Sequence, residues 1–170
     1  MKVEKTELDG VLLITPPTVF RDFRGIYVET YNQALYKEHG IHIEFIQDDI
    51  SCSRKGVLRG IHGDSETWKL VSCIHGEFFL VVVNNDPNSD QFMKNISITL
   101  NAEDPKQVLI PPKFGNGHYV LSETAIFHYK QNTVYNREGQ FTIPWNSKSH
   151  NIFWPIDNPI TSMRDFKEEI

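Results

Sequence analysis

Residues 56–64 read GVLRGIHGD and set a guanidinium (Arg59), an imidazole (His62) and a carboxylate (Asp64) within six positions, with Gly60 and Gly63 between them. An imidazole changes charge near neutral pH and serves there as a general base or acid. A guanidinium fork suits a phosphate or diphosphate. Glycines inside a strand mark a bulge or a close approach of a ligand or another backbone. In a regular strand Arg59 and His62 would face opposite sides. One extra residue at Gly60 would turn both to the same side. A lone histidine is more often structural than catalytic, so the neighbours carry the weight here.

Three further stretches add candidate chemistry. In AIFHYKQ (125–131) the alternation puts Ala125, Phe127 and Tyr129 on one face and His128 and Lys130 on the other. Tyr129 then shares the apolar face, either as a core tyrosine or as a phenol available to donate a proton. In IPPKFGNGHYVLS (110–122) Pro111, Pro112, Gly115 and Gly117 mark an irregular loop holding Asn116, with His118 after it. Asp64, Glu66 and His118 supply potential ligands. The pattern of two histidines one residue apart is missing, so no metal is expected. Arg21 and Arg24 precede a strand and Lys69 opens another. Each is a solvated surface charge by default, and together they would suit a phosphorylated small molecule.

The elements that must position these groups read as β-structure. Strand-like runs occur at 11–14, 41–49, 57–62, 69–74, 77–84, 94–100, 107–112, 118–122, 125–131 and 141–145, most of them β-branched or aromatic and bounded by turn residues. Gly76 in IHGE (74–77) reads as a hairpin turn. YNQALYKEHG (31–40) reads as a helix with Asn32 as N-cap and Gly40 as its stop. The tail 161–170 reads as a short helix or turn capped by Ser162. Many short strands with few helices imply a sandwich or jelly-roll barrel, whose interior often holds a ligand. A length of 170 residues fits one domain over 1–170.

A net charge of -5 argues against nucleic-acid or membrane-surface partners. Cys52 and Cys73 form no C-x-x-C pair and read as thiols in a reducing cytoplasm. The N-terminus shows no signal peptide, and the run FFLVVV (78–83) is too short to cross a bilayer.

Taken in order and spacing, VFRDFRGIYVETYN, FIQDDISCSRKGVLRGIHGD, KLVSCIHGE, LIPPKFGNGHYVLSE, HYKQNTVY and MRD closely resemble the nucleotide-sugar 3,5-epimerases of the cupin fold, the dTDP-4-dehydrorhamnose 3,5-epimerase family. The resemblance runs from about residue 10 to 166. It implies an all-β cupin-type jelly-roll barrel with one or two short helices. It also implies a homodimer exchanging N-terminal strands, and a reaction needing no cofactor. By position it puts the base on His62, its carboxylate partner on Asp165, the proton-donating tyrosine on Tyr129 and the cation near the sugar carbonyl on Lys69. Diphosphate contacts fall on Arg59, and on Arg24 from a partner subunit. Glu29 and Gln47 fall near the nucleotide and its anchoring, and Tyr135 near the sugar or base. A second pocket histidine of the family falls on Asn116, with His118 two residues on. Asp64 is expected to bond a hydroxyl or shape its loop. GIHGD and GNGHYVLS look more like the branch acting on GDP-linked 4-keto-6-deoxy heptoses in capsule or lipopolysaccharide synthesis, which the resemblance places first. A dTDP-linked hexose of the rhamnose pathway stands second. A 3,4-ketoisomerase, or a non-catalytic cupin that binds a sugar nucleotide, ranks below both.

Overall fold

The computed structural model describes residues 1–165; the end of the predicted 161–170 element therefore lies outside the described residues. Its strands are β1 (Lys2–Lys5), β2 (Leu12–Thr15), β3 (Val19–Asp22), β4 (Gly25–Val28), β5 (Gln47–Arg54), β6 (Leu58–Gly63), β7 (Lys69–His75), β8 (Glu77–Asn84), β9 (Asn95–Asn101), β10 (Gln107–Ile110), β11 (Phe114–Val120), β12 (Thr124–Gln131) and β13 (Phe141–Thr142). One helix, α1, spans Gln33–Glu38. One sheet runs β1-β2-β10-β7-β12-β5, a second runs β13-β6-β11-β8-β9, and β3-β4 form a separate hairpin. The fold class is all-β, as read from the sequence.

Apolar side chains from both sheets make one interior: Val71, Phe127 and Val108 from the first meet Phe78, Leu80, Val82 and Phe114 from the second. Two further layers cover the outer faces. Tyr36 of α1 and Ile41 pack with Leu70, Leu109 and Ile14 on the back of the six-stranded sheet. Ile143 and Trp154 pack with Val81, Val83 and Ile61 on the back of the other. Burial on both faces explains why β8 is an unbroken apolar run rather than an alternating one.

The helix ends as its sequence dictates. Asn32 Oδ1 accepts from Leu35 N at 3.3 Å, and Gly40 closes the turn at φ +82°. The tail forms a turn in which Asp165 N donates to Ser162 O.

Three expectations need correction. Residues 41–45 pair with no strand; Ile41, Ile43 and Phe45 alternate because they pack under α1, and the strand starts at Gln47, just after Ile46 N donates to Gln131 O. Gly76 makes no hairpin, because β7 and β8 belong to different sheets; it is the corner by which the chain crosses between them. The supposed loop around Gly115 and Gly117 is the strand β11. Its glycines are packing glycines: a Cβ on Gly115 would sit 2.7 Å from Ile61 Cγ2. The strand expected after Arg24 is β4, whereas β1 and β3 carry no apolar alternation to reveal them, and β3-β4 leave Phe20 and Tyr27 exposed.

Candidate active site

The mouth between the two sheets encloses a cavity of about 320 Å³. Its geometry begins at the bulge. Across β6 and β11, Asn116 faces His62 and His118 faces Arg59, so three steps on β6 match two on β11. The extra residue brings Arg59 and His62 to the same side, and both line the cavity. Gly60 makes this possible. Its φ is +110°, and a Cβ there would lie 2.6 Å from Gly117 Cα and 2.7 Å from Asn116 O. A glycine separates the guanidinium from the imidazole because no side chain fits at that point.

The C-terminal turn delivers the carboxylate. Asp165, only 3% exposed, sets Oδ1 2.7 Å from His62 Nε2. The approach lies off the ring N–H direction, so the contact is close without being a straight hydrogen bond. Asp165 Oδ2 accepts from Ser162 Oγ at 2.8 Å, which fixes the carboxylate plane. Burial pushes the Asp165 carboxyl up, but His62 and Ser162 outweigh it and hold it below the usual range.

The facing wall belongs to the six-stranded sheet. Phe127 and Tyr129 of β12 point inward as the alternation required, while His128 and Lys130 bond Asp48 on the outer side. Tyr129 stands across from Asp49 of β5. Burial, then the Asp49 charge, pushes its phenol above the ordinary value, so it stays protonated at neutral pH. Lys69 of β7 is 7% exposed, and its Nζ donates to Asn116 Oδ1 at 3.2 Å. Burial lowers its pKa to about 8; Asp64 opposes this and Arg164 adds to it. His118 stacks on Phe127 with ring centroids 4.3 Å apart and planes at 9°. Burial, with the nearby Arg59 charge, lowers its pKa to about 3, so it is a neutral floor of the cavity and not a base.

The structure therefore gathers His62, Asp165, Lys69, Tyr129, Arg59, Asn116, His118 and Tyr135 around one space. Other expected contacts lie elsewhere. Asp64 is outside the lining: its Oδ1 accepts from Glu66 N at 3.0 Å and Thr67 N at 2.7 Å, so it shapes the loop. Gln47 accepts from Tyr135 N at 2.9 Å and donates to Asp49 at 2.7 Å, supporting the cavity rim from behind. Glu29 accepts from Thr18 Oγ1 at 2.9 Å and Asn32 Nδ2 at 2.7 Å, tying the hairpin to the start of α1. Arg24 sits on the exposed β3-β4 turn, paired with Asp22 at 2.6 Å, away from this chain's own cavity. Among the described residues, no group of three or more His, Cys, Asp or Glu is placed to hold a metal ion. No helix among the described residues is long and apolar enough to cross a membrane.

Two cations were missed from the sequence. Arg137 and Arg164 join Arg59 and Lys69 at the cavity. Arg164 is held toward it by Gln140 Oε1 at 3.1 Å. Its signal was present in MRD, next to Asp165. Arg137 lies in a loop with no periodicity to assign it a side.

A family model described as dTDP-4-dehydrorhamnose 3,5-epimerase matches residues 5–169. A Shigella flexneri protein of that name is 43% identical over 169 residues, covering 97% of this chain and 93% of the relative. A Methanothermobacter thermautotrophicus protein of the same name is 39% identical over 166 residues, covering 95% and 89%. The crystal structure of dTDP-6-deoxy-D-glucose-3,5-epimerase from Legionella pneumophila, in complex with dTDP-4-keto-L-rhamnose, superposes with a TM-score of 0.91 at 36% identity, over 96% of this chain and 89% of that one. These relatives carry dTDP-linked names, which corrects the order that placed the GDP-linked heptose branch first. With a bulge-delivered imidazole, a buried carboxylate behind it and a phenol on the opposite sheet, the chain belongs to the dTDP-4-dehydrorhamnose 3,5-epimerase family, a family of nucleotide-sugar isomerases.

Proposed function

We propose that the protein inverts C3 and C5 of a dTDP-linked 4-keto-6-deoxyhexose. The observation that carries this is the placement of His62 and Tyr129 on opposing walls of one cavity, with Lys69 buried between the sheets. Protons on the carbons beside a ketone are acidified, because their loss gives an enolate delocalised onto O4. His62 takes the proton from one face of the ring. Asp165 stabilises the imidazolium that results and fixes the ring's orientation. Tyr129 returns a proton to the other face, which inverts the centre. Positioned acid–base groups of this kind contribute about 10²–10⁴-fold each. The Lys69 ammonium meets the enolate oxygen, and a preorganised donor is commonly worth about 3–4 kcal/mol. Arg59, Arg137 and Arg164 offer guanidinium forks to the diphosphate.

The exposed hairpin suits a homodimer. Phe20, Phe23 and Tyr27 are 68%, 98% and 66% exposed on it, and Arg24 lies among them. In a dimer this hairpin reaches a partner's cavity and adds Arg24 to the diphosphate contacts.

A second reading, a GDP-linked heptose, retains one observation. Asn116 stands inside the cavity at the position where the rhamnose-pathway pattern has histidine. Asp64, the other residue behind that reading, is taken up by its loop. The test is to offer dTDP- and GDP-linked 4-keto-6-deoxy sugars in D₂O and follow deuterium by NMR and mass. Exchange at C3 and C5 with the dTDP-hexose supports the main reading. Exchange confined to the GDP-linked sugar selects the second, and exchange with none leaves a binding protein.

A further inference from the structure

The contact between Lys69 and Asn116 joins the two walls of the cavity. Asn116 lies on β11, directly across from His62 on β6. Lys69 belongs to β7 of the opposite sheet. Both side chains are buried, Asn116 at 8% and Lys69 at 7% exposed. The hydrogen bond of 3.2 Å between them puts a neutral acceptor on the ammonium. Among the described residues no carboxylate forms a salt bridge with Lys69. An amide carries its acceptor and its donors on one carbon, so turning Oδ1 to Lys69 turns the Nδ2 hydrogens away from it.

We propose that Asn116 is a positioning residue for the enolate cradle, its carbonyl oxygen holding the Lys69 ammonium charged and aimed at the substrate's carbonyl oxygen from beside the base. This rests on the epimerase reading of the cavity. Other groups set the background for the ammonium. Asp64 on the loop after β6 favours its charge and Arg164 on the C-terminal turn opposes it. His62 and Arg59 of β6, His118 of β11, Tyr129 of β12, Tyr135 and Arg137 of the following loop, and Asp165 of the terminal turn share the cavity. Against that mixed field, Asn116 is the group in direct contact. A buried ammonium that loses its acceptor gives up its proton more readily. A carboxylate in the same place would hold the proton more tightly.

The experiment compares wild type, Asn116→Ala and Asn116→Asp in two ways. The first is the pH profile of kcat and kcat/KM for deuterium exchange. The second is a substrate-free NMR titration of the Lys69 side chain, its signal assigned with Lys69→Arg. The alkaline limb and the NMR midpoint should fall together by about one pH unit in Asn116→Ala and rise by about as much in Asn116→Asp. At pH 7.5 kcat should fall about tenfold or more in Asn116→Ala with KM little changed, because the cradle is needed in the transition state. The near-isosteric Asp variant guards against a folding defect in the Ala variant. If wild type exchanges and the limbs and midpoints of both variants coincide with it, Asn116 has no such part. If wild type catalyses no exchange with any of the nucleotide sugars offered, the epimerase reading fails and takes this role with it.

Discussion

Lys69→Met should make the protein more stable at neutral pH while removing its activity. The ammonium is buried, and its pKa falls from 10.5 to about 8, chiefly through burial. At 1.36 kcal/mol per pKa unit, holding that charge inside costs about 3 kcal/mol of folding stability. The sign follows from proton counts. Below pH 8 lysine is charged in both states and the whole cost is present. Between 8 and 10.5 the folded state sheds its proton first, the unfolded state binds more protons, and stability rises with pH. Methionine keeps much of the stem and removes the charge. It leaves Asn116 Oδ1 without its donor, which costs about 1–3 kcal/mol. The net gain near pH 7 is about 1 kcal/mol, or about 2–4 °C in Tm for a chain of this size. Thermal melts at pH 6.5, 7.5 and 10.5 read the difference, which should reverse at the highest pH, where wild type has regained about 3 kcal/mol and the variant is the less stable by about 2 kcal/mol. Exchange activity should fall about 10²–10³-fold. A variant less stable than wild type by the same margin at every pH would refute the reasoning, since Lys69 would then act as packing and not as a strained charge.

Three other changes follow from the same geometry. Asp165→Asn should slow deuterium exchange about 10²-fold or more. Because the folded carboxyl titrates below its usual range, its stabilising share is present above the unfolded pKa and lost as pH falls through the folded value; acid unfolding of the Asn variant should therefore be flatter below about pH 4. Tyr129→Phe should leave proton loss largely intact and impair inversion, so product analysis in D₂O should find label returned to the original face; unchanged inversion removes Tyr129 as donor. Gly60→Ala should be poorly folded or inactive, because the added carbon meets Gly117 and Asn116 backbone at 2.6 and 2.7 Å; a melt and an exchange assay like those of wild type would contradict the bulge argument.

Much of this architecture was legible because it rests on local pattern. Alternation in AIFHYKQ placed Tyr129 inward, and Asn32 and Gly40 bounded α1. The glycine at 60 announced a bulge. What failed depended on distant partners. The strand β11 looked like a loop because its glycines answer to Ile61 and Arg59 on β6, which local sequence does not reveal. Gly76 looked like a hairpin for a similar reason: a sheet-to-sheet corner and a tight turn ask for the same positive φ. Asp64 was expected either to bond a hydroxyl or to shape its loop, and the structure shows the second: its Oδ1 accepts from Glu66 N and Thr67 N. His62, Tyr129 and Lys69 stood out by residue type and position; their roles, and Asp165 itself, came through the family resemblance. The cavity cations Arg137 and Arg164 were not, because irregular segments carry no period to read.

The proposed epimerisation stands on His62 taking the proton from carbon. The most direct measurement is deuterium exchange at C3 and C5 by His62→Asn, alongside nucleotide-sugar affinity by calorimetry. Affinity should stay within a few-fold of wild type while exchange at both carbons disappears. Exchange at the wild-type rate in that variant would contradict it.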